Sequence, residues 1–304
     1  MRYYSLILLL IGISTGAQER YRDDLFTSTP ALTLEYAVKD KQSLKLDLYQ
    51  PKEDTLRKRP LIVYMHGGGF SGGKRDDKAE VNFARISARK GYVFASISYR
   101  LTRKGKSFNC TTPLAEKMET FRLAAEDVLD AVKFLLRNDS LYGIDNTRVI
   151  LGGSSAGAEG VLSAVYNDDF LFNNRFAYKN FEPAAVISFG GAIPDERYLV
   201  ASNAVPGVFF HGMQDDLVPY KAASHHYCGE DEPGYFMLNG SRTLADKLKT
   251  LDKSYMICSF KNLGHEAANI PFEFLDDVYH FLKTVVVDHE FFQAEFVQNY
   301  KGKP

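Results

Sequence analysis

Apolar positions fall along the chain in two rhythms. Residues 32–38 (LTLEYAV) and 43–50 (SLKLDLYQ) alternate apolar with polar side chains, the period of a strand with one wet face. They are near enough in sequence to pair antiparallel. Residues 61–66 (LIVYMH) are apolar almost throughout, as a strand buried on both faces is. The same signature returns at 92–99, 148–153, 184–191, 207–212 and 254–260. Between these runs the spacing changes to that of helices. It is clearest over 119–138, where Phe121, Ala125, Val128, Ala131 and Leu135 share one face. Helices are also predicted over 76–90, 158–166, 242–251 and 271–286. Buried strands alternating with amphipathic helices imply an α/β fold with a mostly parallel sheet covered on both faces. Eight strands are expected, the first two antiparallel. No repeat, low-complexity tract or Ser/Pro linker interrupts the pattern, so residues 18–304 are expected to form a single domain.

The first seventeen residues stand apart. Arg2 precedes an apolar run from Leu6 to Ile13, and Thr15-Gly16-Ala17 supplies small residues. This is the pattern of a secretory signal peptide cleaved before Gln18, and the run is too short to span a bilayer. A periplasmic or secreted protein is expected, with no stable membrane insertion after cleavage. The 304 residues are 45% hydrophobic and 25% charged, with a net charge of -1. That balance gives no electrostatic case for a nucleic-acid partner. Export makes the three cysteines informative. Cys258 sits in an apolar run (YMICSF), whereas Cys110 and Cys228 lie in loop-like sequence. Three pairings are open, and Cys110–Cys228 is the favoured one. No His/Cys spacing resembles a zinc site, and no metal or cofactor is expected.

Chemistry concentrates where buried strands end. Gly153-Ser154-Ser155-Ala156-Gly157 joins a buried strand to a helix and fits G-x-S-x-G, a sharp turn that lifts a serine above a sheet. Small residues are needed two before and two after the serine, because the turn is tight. Centred on Ser155, both are glycine; centred on Ser154, they are Gly152 and Ala156. Ser155 is therefore the candidate nucleophile. A serine hydroxyl needs a base. Of seven histidines, His66 and His211 belong to other motifs at strand ends. His225 and His226 fall in a polar helical segment, and His280 and His289 lie in or after the last helix. His265 follows the last strand and a short loop, where a base can reach the serine. Asp215 and Asp216 end another buried strand, and one of them would orient the histidine. The stretch YMHGGGFSGGKRDD (64–77) lets backbone approach closely, so amides of Gly67 and Gly68, with that of Ala156, would form an oxyanion hole. Residues 67–72 also match G-x-G-x-x-G as letters. No helix opens there, however, and the next strand ends in Arg100 rather than an acid, which argues against dinucleotide binding.

With His66-Gly67-Gly68-Gly69, the serine motif, His211-Gly212-Met213-Gln214-Asp215 and Gly264-His265 in place, the chain resembles the α/β-hydrolases of the carboxylesterase and hormone-sensitive-lipase-like group. Residues 98–101 (SYRL) and 143–157 carry the same resemblance. It implies the α/β-hydrolase fold with a small cap or none, and Asp215 as the triad acid. It also implies two-step acyl transfer without cofactor. The lipase-like members usually carry an acid where Ser154 stands, so the subfamily is not assigned. Residues 102–118 and 225–241 break the strand–helix rhythm and are expected to wall the pocket. Phe70, Ser154, Tyr227 and Tyr235 are candidate substrate contacts, with Phe236 and Met237 beside them, and a Cys110–Cys228 bond would tie the two walls. Export and an uncapped pocket suggest short-chain acyl esters, such as acetyl or feruloyl esters of carbohydrates. Rival readings are a serine peptidase of the same superfamily, a long-chain lipase, and a non-catalytic binding module.

Overall fold

The two alternating segments pair as their period requires. In the computed structural model, which describes residues 18–172 and 181–299, β1 (Leu32–Lys39) and β2 (Gln42–Tyr49) are antiparallel. The link between them, Asp40 and Lys41, has positive φ at both residues (48° and 64°), the twist a two-residue hairpin favours. β2 pairs antiparallel with β4 (Val93–Ile97). Every further pairing in this sheet is parallel. β3 (Arg59–Met65) lies beside β4, followed by β5 (Ile144–Ser154), β6 (Ala185–Phe189), β7 (Gly207–Gly212), β8 (Tyr255–Phe260) and β9 (Gln293–Gln298). The nine-stranded order is β9-β8-β7-β6-β5-β3-β4-β2-β1.

The expected mostly parallel α/β sheet is present, with nine strands rather than eight. β9 escapes a periodicity reading because it is an edge strand. It pairs parallel with β8 and leaves most of its side chains exposed, so no apolar run marks it. A separate three-stranded ribbon, 222–224 with 237–240 and 192–193, flanks the main sheet. The predicted signal peptide lies outside the described residues.

Helices α1 (Lys78–Arg89), α2 (Leu114–Arg137), α3 (Ala156–Tyr166), α4 (Ser241–Thr250) and α5 (Leu275–Leu282) cover the sheet. α2 starts after Pro113, five residues earlier than its clearest apolar face, and so takes in the end of the 102–118 segment. α5 is shorter than 271–286, with a 3-10 turn before it and a π turn after it. The core divides by strand parity. Leu61, Val63 and Met65 of β3 pack with Phe121, Val128 and Leu135 of α2. Ile62 and Tyr64 pack on the other face with Phe83 of α1 and Val278 and Tyr279 of α5. Both faces of β3 are thus dry, which is why its sequence shows no alternation. The loops after β3, β5, β7 and β8 all leave the carboxyl edge of the parallel sheet, and the candidate residues sit there.

Candidate active site

β5 ends at Ser154 and α3 begins at Ala156, so Ser155 makes the whole turn, at φ 49° and ψ -124°. A non-glycine residue reaches that region only under constraint. The constraint is steric. A Cβ at Gly153 would lie 2.4 Å from the Gly157 carbonyl carbon, and one at Gly157 would lie 2.1 Å from the Met65 oxygen. The Ser155 amide donates to the Phe189 carbonyl on β6 (2.8 Å), fixing the turn to the sheet.

His265 opens a 3-10 turn after β8. Its Nε2 lies 2.7 Å from Ser155 Oγ, and its Nδ1 lies 2.8 Å from Asp215 Oδ2. The imidazole is 24% exposed, while the Asp215 side chain is fully buried. Asp215 Oδ1 accepts the amides of Leu217 and Val218, each at 2.9 Å. Its Oδ2 also faces His211 Nε2 at 3.3 Å. His211 Nε2 is 3.1 Å from the Val218 carbonyl as well. Two acceptors at one nitrogen put the proton on Nε2, leaving Nδ1 to accept from the Ser241 hydroxyl (2.8 Å). Burial alone would raise the Asp215 carboxyl, but the hydrogen bonds from His211 and His265 outweigh it and hold the group well below the usual carboxylate range. Asp216 is exposed and has no part in this network.

Above the turn, a Cβ on Gly67 would sit 3.5 Å from Ser155 Cβ, so the backbone there passes close beside the Ser155 side chain. Gly68 has φ 117°, and its carbonyl accepts the amides of Ser71 and Gly72 (both 3.0 Å), closing the loop. Ala156 is the first residue of α3, so its amide has no intrahelical partner. His66 steadies the strip, its ring Nδ1 lying 2.7 Å from the Gly67 oxygen. The Tyr99 hydroxyl donates to the His66 carbonyl (3.1 Å).

Ser155 and His265 open into a cavity of about 900 Å³. The four expected substrate contacts fare differently from the triad. Ser154 borders the cavity, but its hydroxyl is bonded to that of Tyr64 beneath the turn. Phe70 is fully buried, behind the wall, against Tyr99, Phe108 and Phe121. Tyr227 is 53% exposed and, like Tyr235, lies outside the lining. Phe236 is buried and Met237 exposed, also outside it. The cause is backbone twist: His226 and Tyr227 both have positive φ (58° and 53°), within a short 3-10 turn rather than a helix. That twist brings His225 and His226 into the lining. Sequence reasoning missed these two, along with Phe108, Leu217, Ile270 and Glu159.

Cys110 and Cys228 are disulfide-bonded, and Cys258 is free and buried. The bond ties the segments before α2 and after His225. Among the described residues, one grouping has metal-ligand spacing, Cys110, Cys228 and Glu232, and the disulfide removes both thiolates from it. Burial pushes Glu159 up to about 8, with the Asp215 charge adding to it and Lys117 opposing. Burial likewise pushes Lys117 down to about 8. His225 is held well below its ordinary value by burial, then by the neighbouring His226. Among the described residues no helix is long and apolar enough to cross a membrane.

The BD-FAE family model matches residues 46–195. Human arylacetamide deacetylase-like 2 is 29% identical over 174 residues, covering 55% of this chain and 37% of that protein. Probable carboxylesterase 6 of Arabidopsis thaliana is 37% identical over 118 residues, covering 36% of this chain and 31% of that protein. The chain thus spans well under half the length of the relatives it matches. Esterase 2 of Thermogutta terrifontis, in a structure phosphorylated by paraoxon, superposes with a TM-score of 0.63 at 18% identity. The superposition covers 88% of this chain and 98% of that one, a likeness of fold. The fold is that of the α/β-hydrolases. Within that fold, the chain is similar to a carboxylesterase-like group.

Proposed function

We propose that the protein is a serine carboxylic-ester hydrolase working through an acyl-enzyme. The observation that carries this reading is the continuous chain from Ser155 Oγ through His265 to Asp215, with hydrogen bonds of 2.7 and 2.8 Å. In this reading His265 takes the Ser155 proton as Oγ attacks the ester carbonyl. Asp215 holds Nδ1–H, and so selects the tautomer in which Nε2 accepts. The tetrahedral oxyanion is met by the amides of Gly67, Gly68 and Ala156. His265 then gives its proton to the leaving alcohol, and water repeats the attack to free the acid. The substrate class we favour is short acyl esters, with acetyl and feruloyl esters of carbohydrates foremost. The cavity supports this: it is open to solvent at His265, and polar groups such as Glu159, His225 and His226 line it. We also read the protein as exported to the periplasm or beyond, which the Cys110–Cys228 disulfide supports.

The test is nitrophenol release from acetyl, butyryl and longer nitrophenyl esters by the wild type, Ser155→Ala and Ser154→Ala. Turnover of the short esters should vanish in Ser155→Ala and largely survive in Ser154→Ala. A folded wild type that turns over no ester would overturn the reading, with peptide-amide cleavage or ligand binding without turnover pointing to the peptidase or binding-module alternatives.

A further inference from the structure

One turn of α3 beyond Ser155 lies a residue that the triad does not use. Glu159 donates its amide to the Ser155 carbonyl (2.9 Å), and the residue borders the cavity that holds Ser155 and His265. It is 2% exposed. Its Oε1 is buried without a hydrogen-bond partner, and so is Nδ1 of His225. The two side chains face each other at 3.9 Å, between Oε1 and Nε2, beyond hydrogen-bond reach. The Lys117 charge acts on Glu159, but its ammonium donates to the Gly234 carbonyl (2.7 Å) and leaves Oε1 without a hydrogen bond. Around the pair, the ring centroids of His226, Phe108 and Phe121 lie 4.0, 5.1 and 6.2 Å from that of His225.

Buried polar atoms are almost always hydrogen-bonded, and unpaired ones mark a place where something else completes the bonding. We infer that Glu159 and His225 form a hydroxyl-binding subsite of the pocket, which selects esters carrying a hydroxyl group close to the scissile bond. This rests on the esterase reading above and narrows it. The charge state agrees. Burial keeps Glu159 largely protonated at neutral pH and His225 neutral. A neutral acid beside a neutral imidazole offers both donors and acceptors and no net charge. A hydroxyl, which donates and accepts at one atom, satisfies that set. A carboxylate would need a fixed cation, and an ammonium a fixed anion. A site built to bond a hydroxyl discriminates strongly against the analogue that lacks it, because its own polar atoms then stay unpaired.

The hydroxyl can belong to either half of the ester, and two probe pairs separate the sources. For the acyl half, kcat/KM is compared for nitrophenyl 3-hydroxybutyrate and nitrophenyl butyrate. For the alcohol half, it is compared for an acetylated methyl xyloside with free hydroxyls and its O-methylated analogue. Wild type should favour the hydroxylated member of at least one pair by roughly tenfold or more. That ratio should collapse in Glu159→Met and persist in Glu159→Gln, whose amide still donates and accepts. His225→Phe should collapse it as well, and it decides the matter if Glu159→Met does not fold. A structural role alone would lower both members of a pair together and leave the ratio intact. Equal turnover of both members in both pairs by wild type overturns the subsite and leaves the esterase reading standing. So does a ratio unmoved in Glu159→Met and His225→Phe. No turnover of any probe overturns the esterase reading itself.

Discussion

The Cys110–Cys228 disulfide closes a loop with a sequence separation of 118, and removing it tests how the pocket walls are held. Cross-linking residues that far apart removes loop-closure entropy from the unfolded chain, worth about 5 kcal/mol at 25 °C by the chain-entropy relation, while native disulfides measured by deletion give about 2–5. The structure says where that loss should appear. The 225–241 wall is also anchored by backbone hydrogen bonds, His225 N to Phe236 O (2.7 Å) and Gly234 N to Cys110 O (2.8 Å). Lys117 adds a third, to the Gly234 carbonyl. These survive in a Cys110→Ser/Cys228→Ser double variant. Global stability should therefore fall by about 2–5 kcal/mol, while turnover of nitrophenyl acetate at 25 °C falls far less. Equilibrium urea unfolding measures the first, with a lower midpoint and a slope equal to or above that of the wild type as the freed unfolded chain expands, and steady-state kinetics the second. A stability loss below about 1 kcal/mol would refute the entropic argument. Loss of activity in a variant that keeps its stability would show that the backbone anchors do not hold the wall by themselves.

Three further outcomes follow from the geometry. Asp215→Asn should lower kcat by on the order of 10³–10⁴, because an amide no longer selects the tautomer in which Nε2 accepts; a drop under tenfold would remove Asp215 from the triad. The same carboxyl is held below its unfolded value near 3.9, so it contributes stability above that pH that is lost as pH falls through its folded value. The slope of stability against pH below about pH 4 should therefore be shallower in Asp215→Asn, as acid-titrated urea midpoints would report. Gly157→Ala should destabilise by about 3 kcal/mol and abolish turnover, since the new methyl would lie 2.1 and 2.5 Å from the Met65 and His66 carbonyl oxygens; full activity would mean that the turn has room to relax.

The fold was legible wherever burial imposes a period on the sequence. β1 and β2 alternate because one face of each is partly wet. β3, β7 and residues 148–153 of β5 run apolar because both faces are covered, and α1 and α2 carry a 3.6-residue stripe because one face of each is buried. β9 was not legible: with one edge unpaired and its side chains mostly exposed, nothing selects an apolar pattern, and QAEFVQ reads as a tail. The boundaries of α5 failed for a related reason. The apolar positions continue past Leu282, but the backbone there widens into a π turn through Val287 that keeps Val285 and Val286 buried, so side-chain pattern and helix type part company.

The placement of the triad residues was legible because each follows a buried strand, and in a parallel sheet those ends converge on one edge. The pocket wall was not, because which side chain faces inward depends on local dihedrals. Positive φ at Phe70, His226 and Tyr227 reverses the facing that simple alternation suggests, sending Phe70 behind the wall, Tyr227 to solvent and His225 inward. Glu159 is the most instructive failure, since it conflicts with its surroundings at every level. α3 is otherwise small and apolar and is buried along its whole length, and a carboxyl in that setting resists ionisation. Lys117 lowers it only through its charge, its ammonium being hydrogen-bonded to a backbone carbonyl instead. Where a sequence breaks a local rule and leaves a buried polar atom unbonded, function is the place to look. The conflict at Glu159 lies one helical turn from the serine, inside the same cavity, and that is why we assign substrate selection to it rather than a structural role.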